Sequence, residues 1–493
     1  MPENLVSGGM IIHNPGIAPA TRHIPAACNK GERIMSENKD GLNICLMNDS
    51  FPPVIDGVAT TILNYAEIIN EKLGKATVVT PEYPGVQDDF PFPVVRYPSL
   101  SVTEKICSYR MGYPFSASKL DSLTGSGFNI IHTHCPFASM VMARVLRIKT
   151  GIPMVFTYHT KFDIDIRRAL PTKLMQDQAI KLLVSNISAA DEVWTVSEGA
   201  RQNLLDLGYV ETNGHRIRIM ENGVDFPRGR AEKDEVDSLR ADLDLSGHGP
   251  VFLFVGRLLW YKGIRTILDS LKILDQRGTD FRMMVVGDGA DREEIENYTQ
   301  ELGLGEKVVF TGAVYDREEL RTYYTAGDLF IFPSLYDTNG IVVREAAACG
   351  VPSVLIKGSC AAEGITHHRT GILVDNTAEA IAEELQFAAD HLEEVHQMGD
   401  HAMNEVYMSW ETSIRNAYDR YGAIIENCRS GATSNYESEM QQDFFAGISK
   451  LTSAVQMFRS IPAVSAIRES NNRSIAKRKA RKEEKKMNSE PEE

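Results

Sequence analysis

The 493-residue sequence has few cysteines and no long uninterrupted apolar segment. Its seven cysteines are dispersed, without a Cys-x-x-Cys motif or a Cys/His cluster at zinc-finger spacing. An odd, dispersed set favours reduced thiols in a cytoplasmic compartment. No apolar segment reaches the about 18 residues that a membrane-spanning helix needs. The N-terminus also shows no signal-peptide pattern.

The sequence also lacks an excess of positive charge. Lysine and arginine number 52 against 67 aspartates and glutamates, which gives a net charge of −15. This balance argues against a general nucleic-acid binder, so we expect no nucleic-acid partner. Because 493 residues exceed what one hydrophobic core usually serves, two folded domains are expected.

Residues 1–40 are rich in Pro, Gly, Asn and Ala and show no periodicity, which is typical of a disordered leader. Met35 directly precedes the first apolar strand, and residues 31–33 can be encoded by a purine-rich string that suits a ribosome-binding site. We therefore expect Met35 to be the native start. An N-terminal peptide mapped to residue 1 or 2 in the native host would contradict this.

From residue 43 onward, short apolar strands alternate with helical patterns, which predicts parallel βαβ units. The pattern repeats after a charged, strand-poor join at residues 226–248. We predict an α/β fold with two Rossmann-like doubly wound domains, residues 41–225 and 226–409. A further helix, within residues 410–430, is expected to pack back across the domains.

Residues 431–493 differ in composition from the rest and form an amphipathic and basic tail. Residues 473–486 are strongly basic, although Glu483 and Glu484 interrupt the cluster. The tail fits docking on an anionic membrane surface and also fits a solvated, flexible segment. Five apolar residues precede the basic cluster at helical spacing: Phe444, Ile448, Leu451, Val455 and Phe458.

Ligands in open parallel sheets bind beyond the carboxyl ends of the strands, so the residues that follow each strand are candidates. Gly57 opens the helix after the first strand and fits a phosphate-binding turn or an ordinary turn. Arg257 and Lys262 follow the strand VFLFV, where they fit a diphosphate site or plain surface solvation. The segment Gly287–Gly289 is predicted to be a plain turn, since Asp288 would repel a phosphate.

The segment SLYDTNGIVVREAAACG, residues 334–350, combines a polar turn with an apolar helix predicted at 340–349. Glu345 within so apolar a helix needs hydrogen-bond donors. A salt bridge, to Arg344 or to another cation, or the hydroxyls of a ligand would supply them. Asp337 lies on the turn, beside the free backbone N–H groups expected for residues 338–341.

Three histidines and an Asp-x-Asp pair are further candidates for metal binding or for a place at the cleft. His132 and His134 suit half of a zinc site, but a third ligand is not evident, so the sequence predicts no metal site. His159 ends a strand and fits either a structural role or the edge of a cleft. The pair Asp163 and Asp165 does not follow a Gly-rich turn, which disfavours a metal role.

Taken together, residues 43–428 resemble glycosyltransferase family 4. The resemblance implies a GT-B fold, with two Rossmann-like domains facing a central cleft. It implies sugar transfer from a nucleotide donor with retention at the anomeric carbon and with no essential metal or other cofactor. The segments that carry it are NDSFPPVIDGV, IIHTHCP, TYHT, DEVWTVSEGA, MENGVD, GRLLWYKG, FTGAV and DTNGIVVREAAACGVP.

The resemblance also assigns residues. Arg257 and Lys262 would hold the donor diphosphate, Glu345 the ribose hydroxyls, and Gly57 would lie against the phosphates. His159 would lie near the transferred sugar. The catalytic set is then His159, Arg257, Lys262 and Asp337. The backbone amides that would hold sugar hydroxyls belong to Thr338, Asn339, Gly340 and Ile341.

At two positions the sequence departs from the family pattern. Asp337 replaces the first Glu of the usual Glu-x7-Glu pair and is one methylene shorter. Asn339 replaces the usual Phe or Gln. The form of this segment resembles diacylglycerol glucosyltransferases.

The resemblance predicts transfer of a hexosyl unit from a nucleotide diphosphate sugar, with UDP favoured, to a hydroxyl acceptor such as a lipid. The expected location is cytoplasmic, with the tail at the inner face of the membrane. A sugar-nucleotide epimerase and a non-catalytic nucleotide-sugar sensor are the alternatives. A retaining hydrolase would leave the phosphate-binding cations without a role.

Overall fold

The computed structural model describes residues 41–54, 56–101, 110–212 and 216–430. The predicted leader with Met35, and the amphipathic and basic tail at 431–493, lie outside the described residues. Within the described ranges, every cysteine is a free thiol. No helix in these ranges is both long enough and apolar enough to cross a bilayer.

The first half of the described chain forms a seven-stranded parallel sheet with the order β3-β2-β1-β6-β7-β8-β9. Strands β4 and β5 lie outside it and pair with each other antiparallel. In chain order the strands are β1 (Asn43–Met47), β2 (Lys75–Pro81), β3 (Val94–Tyr97), β4 (Ser99–Ser101), β5 (Arg110–Gly112), β6 (Ile130–Thr133), β7 (Met154–Tyr158), β8 (Glu192–Thr195) and β9 (Arg218–Ile219).

Three of the described helices in the first lobe, which we define as residues 42–225, begin at side-chain caps. The carboxylate of Asp56 accepts from the amides of Val58 and Ala59, and the hydroxyl of Ser197 accepts from the amide of Ala200. In chain order the helices are α1 (Gly57–Ile68), α2 (Ala117–Thr124), α3 (Ala138–Thr150), α4 (Phe162–Ala169), α5 (Lys173–Ile187) and α6 (Glu198–Asp206). A π-helical turn at Ile69–Leu73 extends α1.

The second lobe, residues 226–409, contains a six-stranded parallel sheet with the order β12-β11-β10-β13-β14-β15. Strand β10 reads VFLFV and is buried throughout, as expected for a parallel strand covered on both faces. The strands are β10 (Val251–Val255), β11 (Arg282–Val286), β12 (Val308–Gly312), β13 (Leu329–Phe332), β14 (Ser353–Ile356) and β15 (Gly371–Val374).

Amphipathic helices cover this second sheet. In α8, buried Ile264, Ile267, Leu268 and Leu271 recur at helical spacing and face the strands. The helices are α7 (Lys233–Asp242), α8 (Ile264–Gln276), α9 (Arg292–Glu301), α10 (Arg317–Ala326), α11 (Ile341–Ala348), α12 (Ala378–Asp390) and α13 (Leu392–Glu405). Short 3₁₀ turns lie at Trp260–Lys262 and Cys360–Ala362.

The last described helix, α14 (Trp410–Arg429), returns to the first lobe. Its Trp410 and Tyr421 belong to the same buried cluster as Ile44 of β1. The hydroxyl of Tyr418 accepts from the amide of Leu42 at 2.6 Å and donates to the carbonyl of Leu73 at 2.8 Å. The chain after the second lobe thus closes one face of the first sheet.

The predicted α/β class with two doubly wound sheets is confirmed. Each sheet has one point where the strand order reverses: between β1 and β6 in the first, and between β10 and β13 in the second. Doubly wound sheets bind ligands beyond the strand ends at such switch points. The loops that follow these strands and β7 contain the candidate residues.

Candidate active site

The two loops at the second switch point meet through Lys262 and Asp337. The Nζ of Lys262 donates to Oδ1 of Asp337 at 2.6 Å, with 12% and 24% of the two side chains exposed. The ammonium also lies 5.5 Å from the ring centroid of Tyr261 and 5.7 Å from that of Phe332. Its position is therefore fixed by one charged partner and two aromatic faces.

Gly263 explains why Lys262 comes so close to the loop after β13. Its φ is +83°, and a Cβ there would lie 2.7 Å from Cγ and 2.8 Å from the carbonyl oxygen of Pro333. Only glycine accommodates both the left-handed backbone and this close approach. The 3₁₀ turn that ends at Lys262 therefore packs closely against the loop that contains Asp337.

Arg257 is exposed at the start of the same loop, and its Nη2 donates to the hydroxyl of Tyr261 at 3.3 Å. Tyr261 contacts both cations, because its ring also lies beside Lys262. The two positive charges thus border one opening. An arginine fork and a lysine point charge together suit a diphosphate.

The Gly287–Gly289 turn supports the Arg257 loop. A Cβ at Gly287 would lie 1.9 Å from the carbonyl oxygen of Gly256, and one at Gly289 would lie 2.3 Å from that of Leu258. Asp288 accepts from the amide of Gly289 at 2.7 Å, which fits the predicted plain turn. The sequence reasoning missed the reason for the two glycines, which is the close approach of a neighbouring loop.

The Asp337 turn leads into α11 through Gly340, whose φ is +56° and whose Cβ position lies 2.9 Å from Cα of Ala361. Helix geometry leaves the first amides of α11 without an intrahelical partner. Among the described residues, Oδ2 of Asp337 and Nδ2 of Asn339 are buried and have no hydrogen-bond partner. The turn thus offers free amides and two unsatisfied polar atoms to a hydroxyl-bearing ligand.

Glu345 is only 6% exposed and has two protein donors. Nη2 of Arg317 donates to Oε1 at 2.7 Å, and the hydroxyl of Tyr324 donates to Oε2 at 2.8 Å. Burial, then the Glu345 carboxylate, raises the pKa of Tyr324. The expected salt bridge exists, but with Arg317, since Arg344 pairs with Glu221. Each carboxylate oxygen keeps a second lone pair for a ligand hydroxyl.

The sequence analysis did not identify Arg317 and Tyr324, although their spacing was a signal. They lie seven residues apart on α10, so they occupy one face of that helix. Arg317 is held further by the ring of Phe226, 4.2 Å from its guanidinium carbon, and by Asp225 at 3.6 Å. This shared helix face could have been anticipated from the spacing, whereas its contact with Glu345 could not.

His159 follows β7 and faces the second lobe. Its Nε2 lies 2.8 Å from Nδ1 of His134, and the two rings stack with centroids 5.1 Å apart. Burial lowers the pKa of His159 to about 4, against the opposing effect of Asp56, so the imidazole is neutral at neutral pH. The hydroxyl of Thr338 donates to the carbonyl of His159 at 2.6 Å and thus joins the two lobes at the site.

Two of the candidate metal ligands, His132 and Asp163, have protein partners. Both ring nitrogens of His132 are engaged, Nδ1 with Tyr421 at 2.6 Å and Nε2 with Thr157 at 2.7 Å. Asp163 lies on α4, where it accepts from Asn203 at 3.3 Å. These contacts hold the two side chains within the fold, and the absence of a metal here stays a prediction.

Gly57 is the first residue of α1, at the first switch point. The neighbouring carboxylate of Asp56 accepts from the amides of Val58 and Ala59, each at 2.8 Å. A Cβ built on Gly57 meets no atom within 4 Å. The space beside it is open to a ligand, and a phosphate contact here stays a prediction.

A contact between the lobes that the sequence did not reveal involves Glu363 and the N-terminus of α6. Its two carboxylate oxygens accept from the amides of Glu198 at 2.6 Å and Gly199 at 2.7 Å. A Cβ on Gly199 would lie 2.4 Å from Sγ of Cys360. An acidic side chain of the second lobe thus caps a helix of the first.

Family profiles match both lobes of the chain. The profile described as Glycosyltransferase Family 4 matches residues 55–228, and the one described as Glycosyl transferases group 1 matches residues 235–405. The chain belongs to glycosyltransferase family 4. One curated relative of this glycosyltransferase is the alpha-monoglucosyldiacylglycerol synthase of Streptococcus pneumoniae. The two sequences are 25% identical over 318 residues, and the aligned part covers 64% of this chain and 70% of that protein.

A second relative of the glycosyltransferase is a GDP-mannose-dependent alpha-mannosyltransferase of Mycobacterium tuberculosis. It is 27% identical over 345 residues, which cover 68% of this chain and 84% of that protein. The predicted likeness to diacylglycerol glucosyltransferases agrees with the Streptococcus relative.

Solved structures with the same fold include the sucrose-phosphate synthase of Thermosynechococcus elongatus, with a TM-score of 0.61 and 21% identity. The match covers 78% of this chain and 99% of that one. An Anabaena protein in complex with UDP and glucose has a TM-score of 0.58 and 17% identity, with 77% and 99% covered. The predicted GT-B architecture of the glycosyltransferase is confirmed.

Proposed function

We propose that this glycosyltransferase moves a hexosyl unit from a UDP-type nucleotide sugar to a hydroxyl of a lipid acceptor, with retention at the anomeric carbon. The Streptococcus relative, by its name a glucosyldiacylglycerol synthase, supports the hexose and the lipid. The Anabaena structure with UDP and glucose supports the donor class.

The single observation that carries the proposal is the Lys262–Asp337 pair at the second switch point. One partner supplies positive charge for a diphosphate, and the other, with its second oxygen unsatisfied, supplies an acceptor for a sugar hydroxyl. The two groups are joined at 2.6 Å, so a ligand that satisfies both must hold a phosphate next to a hydroxyl-rich unit. A nucleotide diphosphate sugar has this chemistry.

In the proposed complex, Arg257 and Lys262 bind the diphosphate and Gly57 lies against it from the first lobe. Glu345 binds the ribose hydroxyls with its remaining lone pairs. Asp337 and the backbone amides of 338–341 bind the sugar. The neutral imidazole of His159, oriented by His134, exchanges a hydrogen bond with a sugar hydroxyl.

In the proposed reaction, the bond between the anomeric carbon and the phosphate oxygen breaks and leaves its electron pair on the phosphate. The acceptor hydroxyl oxygen forms the new bond on the same face, and its proton passes to the departing phosphate. Arg257 and Lys262 stabilise the charge that grows on this leaving group. We propose that these two cations supply the positive charge, with no metal required.

The test is a transfer assay with the purified chain. UDP-glucose, UDP-galactose and GDP-mannose are each supplied with vesicles that contain diacylglycerol, and the anomeric configuration of the product is read by NMR. A glycolipid with the donor's configuration is the expected product. An inverted product would refute retention, and conversion of the donor without acceptor would instead identify an epimerase. Saturable donor binding without turnover would identify a sensor.

Docking of the tail on an anionic membrane is part of the lipid-acceptor proposal, and it is tested separately. Co-sedimentation with vesicles that contain phosphatidylglycerol is compared for the full chain and a chain that lacks residues 468–493. We expect the shortened chain to stay in the supernatant. Equal sedimentation of both chains would refute a role of this segment in membrane binding.

A further inference from the structure

A cluster of metal-ligating side chains lies outside the sugar-transfer site. It consists of His367 and His368, in the loop between the 3₁₀ turn at Cys360–Ala362 and β15, together with Glu384 of α12. One ligand atom from each residue lies within 4.8 Å of the other two. None of the three residues contributes to the proposed donor site.

The backbone turns the two consecutive histidines toward one point. Neighbouring residues of an extended segment project their side chains to opposite sides. His368 instead has a φ of +56°, in the left-handed region that non-glycine residues seldom adopt. As a result the two imidazole rings lie only 4.2 Å apart between centroids. The amide of His368 donates to the carbonyl of Gly371 at 2.8 Å, which closes this turn.

Each ring is also held in place by a neighbour. Nδ1 of His367 accepts from the amide of Leu373 at 3.1 Å, so the neutral ring carries its proton on Nε2, and an ion bound by this ring takes the place of either that amide or that proton. The ring of His368 packs edge-on against Phe387, with centroids 4.7 Å apart. These two contacts fix the orientation of both rings.

Glu384 completes the set. Its Oε2 lies 3.2 Å from Nε2 of His368 and is buried with no hydrogen-bond partner among the described residues. In a tetrahedral site with metal–ligand bonds near 2.1 Å, neighbouring ligand atoms are about 3.4 Å apart. The observed separation therefore already matches two ligands of one ion.

The chemistry of the cluster suits a cation. Lys357 is a positively charged neighbour of His367. The positive charge of Lys357 is partly balanced by Asp375, 3.4 Å away. Two imidazoles and one carboxylate are ligands that Zn²⁺ accepts, with a fourth position left for water.

We propose that His367, His368 and Glu384 bind a divalent transition-metal ion of the zinc class. The ion joins the loop that precedes β15 to α12. Because the same loop begins beside Glu363, which caps α6 of the first lobe, the metal fixes the base of a contact between the lobes. This role is separate from the sugar-transfer reaction and does not rest on its assignment.

Calorimetric titration of the tag-free full chain with ZnCl₂, after treatment with EDTA and desalting, tests the proposal. Wild type should bind one saturable equivalent, and His368→Gln and Glu384→Gln should each weaken that binding by about tenfold or more, since each removes one ligand. The matched control is His391→Gln. This histidine stacks on Phe387 but lies outside the cluster, so its variant should bind as wild type does.

Thermal unfolding gives the second measurement. Zn²⁺ should raise the melting temperature of wild type and of His391→Gln, and should leave His368→Gln and Glu384→Gln unchanged, because only a native-state site stabilises the fold. The proposal fails if wild type shows no saturable binding. It also fails if the His368 and Glu384 variants bind Zn²⁺ as tightly as wild type, since the metal then lies elsewhere.

Discussion

The Nζ of Lys262 lies 2.6 Å from Oδ1 of Asp337, and this pair joins the loops that follow the two neighbouring strands β10 and β13. The lysine charge is thereby partly balanced before any ligand binds. A diphosphate must share the ammonium with Asp337. The contact between Lys262 and Asp337 therefore determines the effects expected when either residue is replaced.

Lys262→Ala should lower kcat/KM for sugar transfer by about 10²–10³, because charge on the leaving phosphate loses a preorganised partner. The fold should survive, as shown by an unchanged circular dichroism spectrum. Lys307→Ala is a matched control. Lys307 also pairs with an aspartate, Asp275 at 2.9 Å, and also lies over an aromatic ring, Phe281 at 4.7 Å. Wild-type turnover in Lys262→Ala would refute the assigned role.

Asp337→Asn should move two quantities in opposite directions. Turnover should fall by about tenfold or more, since a charged hydrogen-bond acceptor for the sugar is lost. The affinity for UDP should rise, because Lys262 no longer has a competing carboxylate. Steady-state kinetics and calorimetric UDP titration measure the two effects. Asp275→Asn is the control, with similar exposure and a lysine partner. A parallel fall in both quantities would mean that Asp337 acts only by holding Lys262.

Glu345→Gln should weaken both folding and donor binding. The change leaves the guanidinium of Arg317 without its closest carboxylate, which should cost about 1–3 kcal/mol of the free energy of unfolding. Urea unfolding gives this value. Tyr324→Phe removes only the other donor and serves as the comparison, with a stability loss but a preserved ion pair. If Glu345→Gln binds UDP as wild type does, the ribose role is excluded.

Gly340→Ala should destabilise the protein by about 1–2 kcal/mol, because a residue with a Cβ is strained in the left-handed backbone conformation of Gly340. Transfer should fall as well, since the amides at the start of α11 shift. The control is Gly422→Ala in α14, where a Cβ meets no atom within 4 Å. That change should stabilise by about 1 kcal/mol through helix propensity. Equal stability of both variants would contradict the packing seen at Ala361.

Acid should destabilise the fold through the histidines of the first lobe. Burial lowers the pKa of His132, His134 and His159, the last to about 4. The unfolded chain takes up these protons below about pH 6.5, so stability is complete above that pH and is lost as the pH falls toward the folded-state values.

Urea unfolding between pH 8 and pH 5 measures this effect, which is at most about 1.4 kcal/mol per pH unit for each histidine. His159→Gln should reduce the slope because it removes one of the three groups. His391→Gln, at an exposed site, should leave the slope unchanged. An identical slope for wild type and His159→Gln would show that His159 is not held neutral.

Local pattern was sufficient to predict the two doubly wound sheets, most of their buried strands, and the places of Lys262 and Asp337 after a strand and of Glu345 in a helix. Apolar runs mark the buried parallel strands, and polar residues directly after them must lie at one edge of the sheet. The helix predicted at 340–349 is observed as Ile341–Ala348, with Gly340 as its cap.

The partners of these residues could not be predicted in the same way, because they come from distant parts of the chain. Arg317 lies 28 residues from Glu345, and Thr338 lies 179 residues from His159. Glu363 lies 165 residues from the helix that it caps. The spacing of Arg317 and Tyr324 indicates a shared helix face, but it does not indicate which carboxylate that face meets. The other two pairings join the two lobes and depend on how two separately folded sheets are placed.

The absence of a side chain at Gly199 sets the spacing between the lobes. With Sγ of Cys360 in the position that a Cβ would need, any larger residue acts as a wedge beside the Glu363 cap. A single methyl group here would hold the cleft wider without touching a residue assigned to the chemistry. The width of the cleft is therefore tunable at this contact between the lobes.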